Sequence, residues 1–238
     1  MDDFYADADH YTYPGSFVLR NRLNLTDQAK LDRAEKLLVS ARLLDVSGIP
    51  RTFDYAHFRA LHFHMFQDLY DWAGCERDVG IIKGGSRFAT PKFIGRQARH
   101  SLDELRNNLQ ALRCSFSALP AILSHFVNEM NVVHVFREGN GRHLREFVSH
   151  VLEEIGCGFA AEGLLRERWI PAVVAGFGGD ERPMAELFAE TLVAPAASRE
   201  SMFASLSAER RRRFCQLLKC CGYPADIIQE YQDTLRCK

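Results

Sequence analysis

A mostly α-helical bundle carrying one β-hairpin is the fold this sequence predicts, and three observations predict it. Apolar residues recur at three- and four-residue spacing through most of the chain. One short segment, residues 81 to 91, replaces that rhythm with an apolar pair, a Gly-Gly turn and a second short apolar run, the pattern of a hairpin. Helix start and stop signals fall at the edges of the periodic stretches.

Taken in order, Thr26 reads as the N-cap of a first helix striped by Leu31, Ala34, Leu37, Leu38 and Ala41. Asp54 opens a second, carrying Phe58, Leu61, Met65, Phe66 and Leu69. His62 and His64 lie two apart, on different sides of that helix, and read as structural. The hairpin follows, with Ile82, Lys83, Gly84, Gly85, Ser86, Arg87 and Phe88 as its strands and turn. Thr90-Pro91 then pairs a cap with proline at the first helical position, opening a long helix through Ala98, Leu102, Leu105, Leu109 and Leu112. A fourth helix runs from about Pro120 to Val133. A fifth carries Leu144, Phe147, Val148, Val151, Leu152 and Ile155, with Gly156 as its C′ residue. Two short helices, around residues 166 to 175 and 183 to 192, close a domain spanning residues 1 to 194. A small-residue linker from Val193 leads to a helical tail, residues 195 to 238, with eight Lys/Arg against five Asp/Glu and an unbroken run from Arg210 to Arg213.

Composition excludes several function classes. At 238 residues, 47% hydrophobic and 26% charged, the chain can bury one core and a small appendage. No apolar run approaches the roughly 18 to 20 residues of a membrane span, and the start Met1-Asp2-Asp3-Phe4 is unlike a secretory leader. Synthesis in a bacterial cytoplasm is expected, with delivery by a specialised secretion system compatible with it. A net charge of −1 gives no general attraction to nucleic acid or anionic lipid. Seven scattered cysteines without a C-x-x-C pair predict reduced thiols rather than a disulfide framework or a zinc site.

The chemistry is concentrated between the fourth and fifth helices, in His134-Val135-Phe136-Arg137-Glu138-Gly139-Asn140-Gly141-Arg142-His143-Leu144-Arg145. Glycines flanking Asn140 let backbone N–H groups approach a ligand, and such a turn at a helix N-terminus is an anion-binding concavity. Arg142 and Arg145, at i and i+3, share roughly one helix face, where a planar fork suits phosphate oxygens. A lone acid, Glu138, would repel a bare phosphate, a conflict that bridging Mg²⁺ removes. His134 adds a group titrating near neutrality, suited to taking a proton from an attacking hydroxyl.

This segment matches the pattern H-x-F-x-[DE]-G-N-G-R-x-x-R, and on it the chain is identified as a member of the Fic (filamentation induced by cAMP) family, over roughly residues 11 to 194. The resemblance implies a Fic-type helical bundle with a hairpin flap, transferring AMP from Mg-ATP to a Ser, Thr or Tyr hydroxyl of a target protein. It implies His134 as general base, Phe136 as the apolar anchor of the loop and Glu138 as magnesium ligand. It also implies Gly139, Asn140 and Gly141 as the anion hole, with Arg142 and Arg145 on the distal phosphates. Val135 stands where most members have proline; its β-branch also favours extended backbone. The hairpin resembles the family's flap, which would pair with target backbone by strand addition. Asp71-Trp72-Ala73-Gly74 and Tyr13-Pro14-Gly15-Ser16 resemble further landmarks.

Rival readings are a Fic-fold kinase or another nucleotide or phosphocholine transferase, and a non-catalytic Fic-fold binding module. Intact His134 and Glu138 argue against the binding module. Family members are restrained by a helix carrying [ST]-x-x-x-E-[GN], whose glutamate pairs with the second motif arginine, here Arg145. Ser205 and Glu209 come close, but Arg210 replaces Gly or Asn. A separate small antitoxin-like inhibitor is therefore the expected partner.

Overall fold

The computed structural model describes residues 9–46, 48–83, 85–114, 116–160 and 166–193. Its elements are α1 (Gln28–Leu43), α2 (Tyr55–Phe66), β1 (Ile82–Lys83), β2 (Ser86–Arg87), α3 (Ile94–Cys114), α4 (Leu119–Val133), α5 (Asn140–Glu154), β3 (Gly158–Phe159), α6 (Arg166–Phe177), α7 (Arg182–Thr191) and β4 (Leu192–Val193). α4 is central. Its mean apolarity is high enough to bury several faces, and it packs against α3, α5, α6 and α7, while α2 lies on α1 and α5.

The sequence rules account for most boundaries. Asp54 caps α2 as expected, its carboxylate accepting from His57 N at 2.9 Å. Gly156 takes φ 79°, and Cys157 N donates to Leu152 O at 2.7 Å, so α5 ends in a left-handed stop. Two caps differ from expectation. The cap of α1 is Asp27, not Thr26: its carboxylate accepts from Lys30 N at 2.8 Å, a charge-assisted bond at a positive helix end. Thr90 has extended backbone but makes no side-chain cap, and Pro91 opens a 3-10 turn, Pro91–Phe93, before α3. The stripe of α1 also shifts, since Leu37 is 71% exposed and Val39 takes the core position.

The hairpin pairs β1 with β2 antiparallel, Ile82 opposite Arg87 and Lys83 opposite Ser86. Gly84, at its turn, lies outside the described residues. A second two-stranded pair was not expected: β4 pairs with β3, Gly158 opposite Val193, so Val193 belongs to a strand rather than a linker. The predicted tail, with Ser205, Glu209 and Arg210 to Arg213, lies outside the described residues, as does nearly all of the linker. No described helix is long and apolar enough to cross a membrane.

Candidate active site

The loop between α4 and α5 begins at a strained residue. His134 ends α4 with φ 49° and ψ 67°, a left-handed conformation uncommon outside glycine. Its imidazole is half-buried and stacks on Phe88, the residue after β2, at 4.0 Å between ring centroids. The hairpin and the histidine are therefore in direct contact. Nδ1 faces the Asn131 carbonyl at 3.4 Å, so it donates, and the neutral ring carries its lone pair on Nε2. Burial pushes the pKa down to about 4 against the opposing charge of Glu138. At neutral pH the proton-accepting form is fully populated.

Phe136 is fully buried, stacked on Phe58 and on the ring of His62, the latter at 3.7 Å. It fixes the loop from beneath. The side-chain amide of Asn140 closes the loop from the other end, accepting from Phe136 N at 2.9 Å and donating to Phe136 O at 2.7 Å. The side chain of Asn140 is thus turned inward to the loop, and its backbone N–H stands at the helix end. Gly139 is the N-cap of α5 at φ 80°, and a Cβ there would sit 2.2 Å from Phe66 Cζ. Gly141, by contrast, is an ordinary helical residue with only Arg145 Nη1 near, at 3.9 Å. The first backbone bond of α5 runs from His143 N to Gly139 O, and no described residue accepts from the N–H groups of Asn140, Gly141 or Arg142. Those three donors form the open, positive end of the helix.

Replacing Gly139 by alanine should therefore cost on the order of 1–3 kcal/mol, the range of a forced backbone outlier, and weaken Mg-ATP binding together with stability. Urea unfolding and nucleotide titration check this; a variant matching the parent in both contradicts the geometry.

Glu138 is half-buried, and its Oε1 accepts from Gly139 N at 2.8 Å and lies 4.0 Å from Arg142 Nη2. A hard carboxylate held at the mouth of an anion-binding turn fits Mg²⁺, which takes one or two carboxylates beside substrate phosphates.

The two motif arginines have different surroundings. Arg142 pairs with the half-buried Glu35 of α1, whose other oxygen accepts from Tyr70 Oη, and its guanidinium lies 5.2 Å from the Phe66 ring. Arg145 rests 5.8 Å from the Trp169 ring, and no described residue pairs with its guanidinium. Burial, then the charges of Arg142 and Arg166, lower its pKa. An anion placed there would relieve that repulsion.

Sequence reasoning missed three supporting residues, Glu35, Tyr70 and Arg77, and read a fourth, His62, as structural without its link to the loop. Glu35 and Tyr70 hold Arg142. His62 is fully buried under the loop, accepting from Gly74 N at Nδ1 (2.9 Å) and donating from Nε2 to Glu138 O (3.0 Å). Arg77, 2% exposed, spends its guanidinium on carbonyls of the loop and hairpin. The Gly74 of the Asp71-Trp72-Ala73-Gly74 stretch thus meets the loop through His62, a link that its sequence neighbours do not announce.

Comparison with known proteins decides the family. The Fic/DOC family model matches residues 52–152. A Sinorhizobium fredii protein named "Probable protein adenylyltransferase" is 38% identical over 188 residues, which make up 78% of this chain and 96% of that one. The chain belongs to the Fic/DOC family. The protein adenylyltransferase VbhT of Bartonella schoenbuchensis is 30% identical over 194 residues, 81% of this chain and 41% of that longer protein. Among solved structures, the N-terminal Fic domain of a VirB-translocated effector from Bartonella quintana, with bound ADP, aligns with a TM-score of 0.68 at 23% identity, covering 79% of this chain and 96% of that domain. That likeness establishes the Fic fold.

Proposed function

We propose that this Fic chain is a protein adenylyltransferase, moving AMP from ATP to a Ser, Thr or Tyr hydroxyl of a target protein and releasing pyrophosphate. One observation carries the reading. A single loop couples a neutral imidazole, whose lone pair lies on Nε2, to a helix end with three N–H donors that no described residue occupies.

In the reaction, His134 Nε2 takes the proton of the target hydroxyl as its oxygen attacks the α-phosphorus. The bond to the β-bridging oxygen breaks, and pyrophosphate departs. The N–H groups of Asn140, Gly141 and Arg142 hold phosphate oxygens, with Gly139 letting the turn close over Phe66, and Arg145, with which no described carboxylate pairs, supplies charge for the distal end. Arg142 works as a held fork, its position set by Glu35 rather than by phosphate alone. Bound to Glu138, Mg²⁺ would neutralise charge on the leaving pyrophosphate. Phe136 keeps the loop in register, and the hairpin Ile82, Lys83, Gly85, Ser86, Arg87 and Phe88 presents target backbone to His134 by strand addition. Incubation with α-labelled ATP and a cell lysate tests this: labelled protein bands should appear, and should vanish in the Glu138→Ala variant. A lysate that stays unlabelled while the protein binds Mg-ATP contradicts it.

The setting is read as bacterial and cytoplasmic, with export as an effector compatible with the Bartonella neighbours. Restraint is assigned to a separate small antitoxin-like protein. Its support is Arg145, whose guanidinium meets no described carboxylate and offers a glutamate from outside the place of a γ-phosphate. Deleting residues 196 to 238 should then leave transfer within about threefold, a barrier change of roughly 0.7 kcal/mol. A gain well beyond tenfold, read by the same labelling assay, would make the tail an internal inhibitor.

A further inference from the structure

A helix that ends at its catalytic residue must satisfy its last carbonyls with something other than more helix. In α4 every one has a partner. Met130 O accepts from His134 N at 3.1 Å, Asn131 O faces His134 Nδ1 at 3.4 Å, and Val132 O accepts from Ala89 N, just past β2, at 3.1 Å. Val133 O accepts from Arg77 Nη2 at 3.2 Å, and His134 O from Arg77 Nε at 2.7 Å. The same guanidinium donates from Nη1 to Val79 O at 2.6 Å, where the chain enters the hairpin, and from Nη2 to Ala89 O at 2.6 Å, where it leaves. The Arg77 backbone N–H reaches Val135 O at 3.0 Å. Arg77 is buried, and no described carboxylate bonds to it. Its partners are the carbonyl end of α4 and the two roots of the hairpin.

We propose that Arg77 is a positioning residue that locks the docking hairpin to the His134 loop, so that a target strand added to the hairpin meets the base in register. The proposal rests on the adenylyltransferase reading for its consequence, but not for its geometry. Only a planar fork can serve carbonyls from three segments at once; a lysine ammonium keeps the charge and the favourable place at a helix C-terminus, yet lacks the span. The left-handed backbone of His134, which costs of order 1 kcal/mol or more, is held by the bond to its carbonyl.

Charge and shape can be separated. The charged groups acting on the His134 ring are Glu138, which favours its protonation, and Arg77 and Lys83, which oppose it. Arg77→Lys and Arg77→Gln would be made in the full chain. Amide hydrogen exchange, NMR titration of the His134 imidazole, and transfer of α-label to lysate protein would be measured on both. In Arg77→Lys, exchange over residues 79 to 89 should quicken by about tenfold or more while the rest of the domain keeps its protection. Transfer should fall by about 100-fold, the scale of an ångström's misplacement, and His134 should titrate as in the parent. In Arg77→Gln the same loosening should come with an upward movement of the His134 titration.

Parent-like exchange over 79 to 89 in Arg77→Lys, or acceleration spread evenly over the whole chain, would overturn the proposal and leave Arg77 a plain stabilising residue. If the parent transfers no label at all, the activity reading fails, while exchange and titration still decide the positioning role.

Discussion

His134→Ala should abolish transfer and leave Mg-ATP binding within about threefold, because a general base contributes in the transition state, typically 10²–10⁴-fold. The structure gives the reason for the separation. The nucleotide's partners in this reading are the α5 N–H groups, Glu138 and the arginines, whereas the imidazole stands against the hairpin through Phe88. Glu138→Ala should differ, weakening metal-dependent binding as well. Since burial holds the His134 pKa down to about 4, kcat/KM should be flat between about pH 6.5 and 8 rather than rising through a histidine limb. Isothermal titration with Mg-ATP and initial transfer rates check these points. A parent-like rate in His134→Ala contradicts the assignment of the base.

Acid should destabilise this domain steeply before its carboxylates titrate. His57, His62, His143 and His150 are all buried. Hydrogen bonds fix most of their tautomers: Phe53 N donates to His57 Nδ1 at 3.2 Å, and His57 Nε2 then donates to His150 Nδ1 at 3.1 Å. His143 donates from Nε2 to Phe58 O at 2.7 Å. Burial pushes His57 and His150 down to about 4, His62 to about 3, and His143 well below the ordinary value.

The unfolded chain therefore binds more protons below pH 6.5, and stability, complete above that value, falls as the pH drops toward 4. Each such histidine removes about 1.4 kcal/mol between pH 7.5 and 5.5, so four remove about 5 kcal/mol, a large part of the 5–15 kcal/mol typical of a domain. Glu35 and Glu146, raised by burial, act with the opposite sign, but His134, also held down to about 4, joins the other side, so they are two against five. Urea unfolding across this range should show a steep loss of stability. A flat profile from pH 7.5 to 5.5 would mean that the histidines are not held neutral.

The candidate loop was legible because its groups are contiguous: His134, Glu138, Gly139 and Arg142 follow one another along one short segment, so their spacing in sequence is close to their spacing in space. Helix ends at Asp54 and Gly156 were legible for the same reason, as caps act within a few residues. What supports the loop was not. Glu35 reaches Arg142 across 107 residues, His62 reaches Glu138 across 76 and Arg77 reaches His134 across 57. Each looks like a solvated or structural side chain until the helices pack. Periodicity also misplaces near-equivalent neighbours: Thr26 and Asp27 are both competent caps, and only the backbone path selects the carboxylate. Two-residue strands such as β3 and β4 carry too little pattern to be read at all.

The central claim is that the hydroxyl is directed to the α-phosphorus, which separates AMP transfer from phosphorylation on the same fold. Parallel incubations of the chain and a protein acceptor with ATP labelled at the α- or the γ-phosphate test it directly. The account predicts α-label on protein, no γ-label, and γ-label recovered as pyrophosphate. Label on protein from γ-labelled ATP alone would contradict it, reversing the placement of the triphosphate along the α5 N-terminus, Arg142 and Arg145.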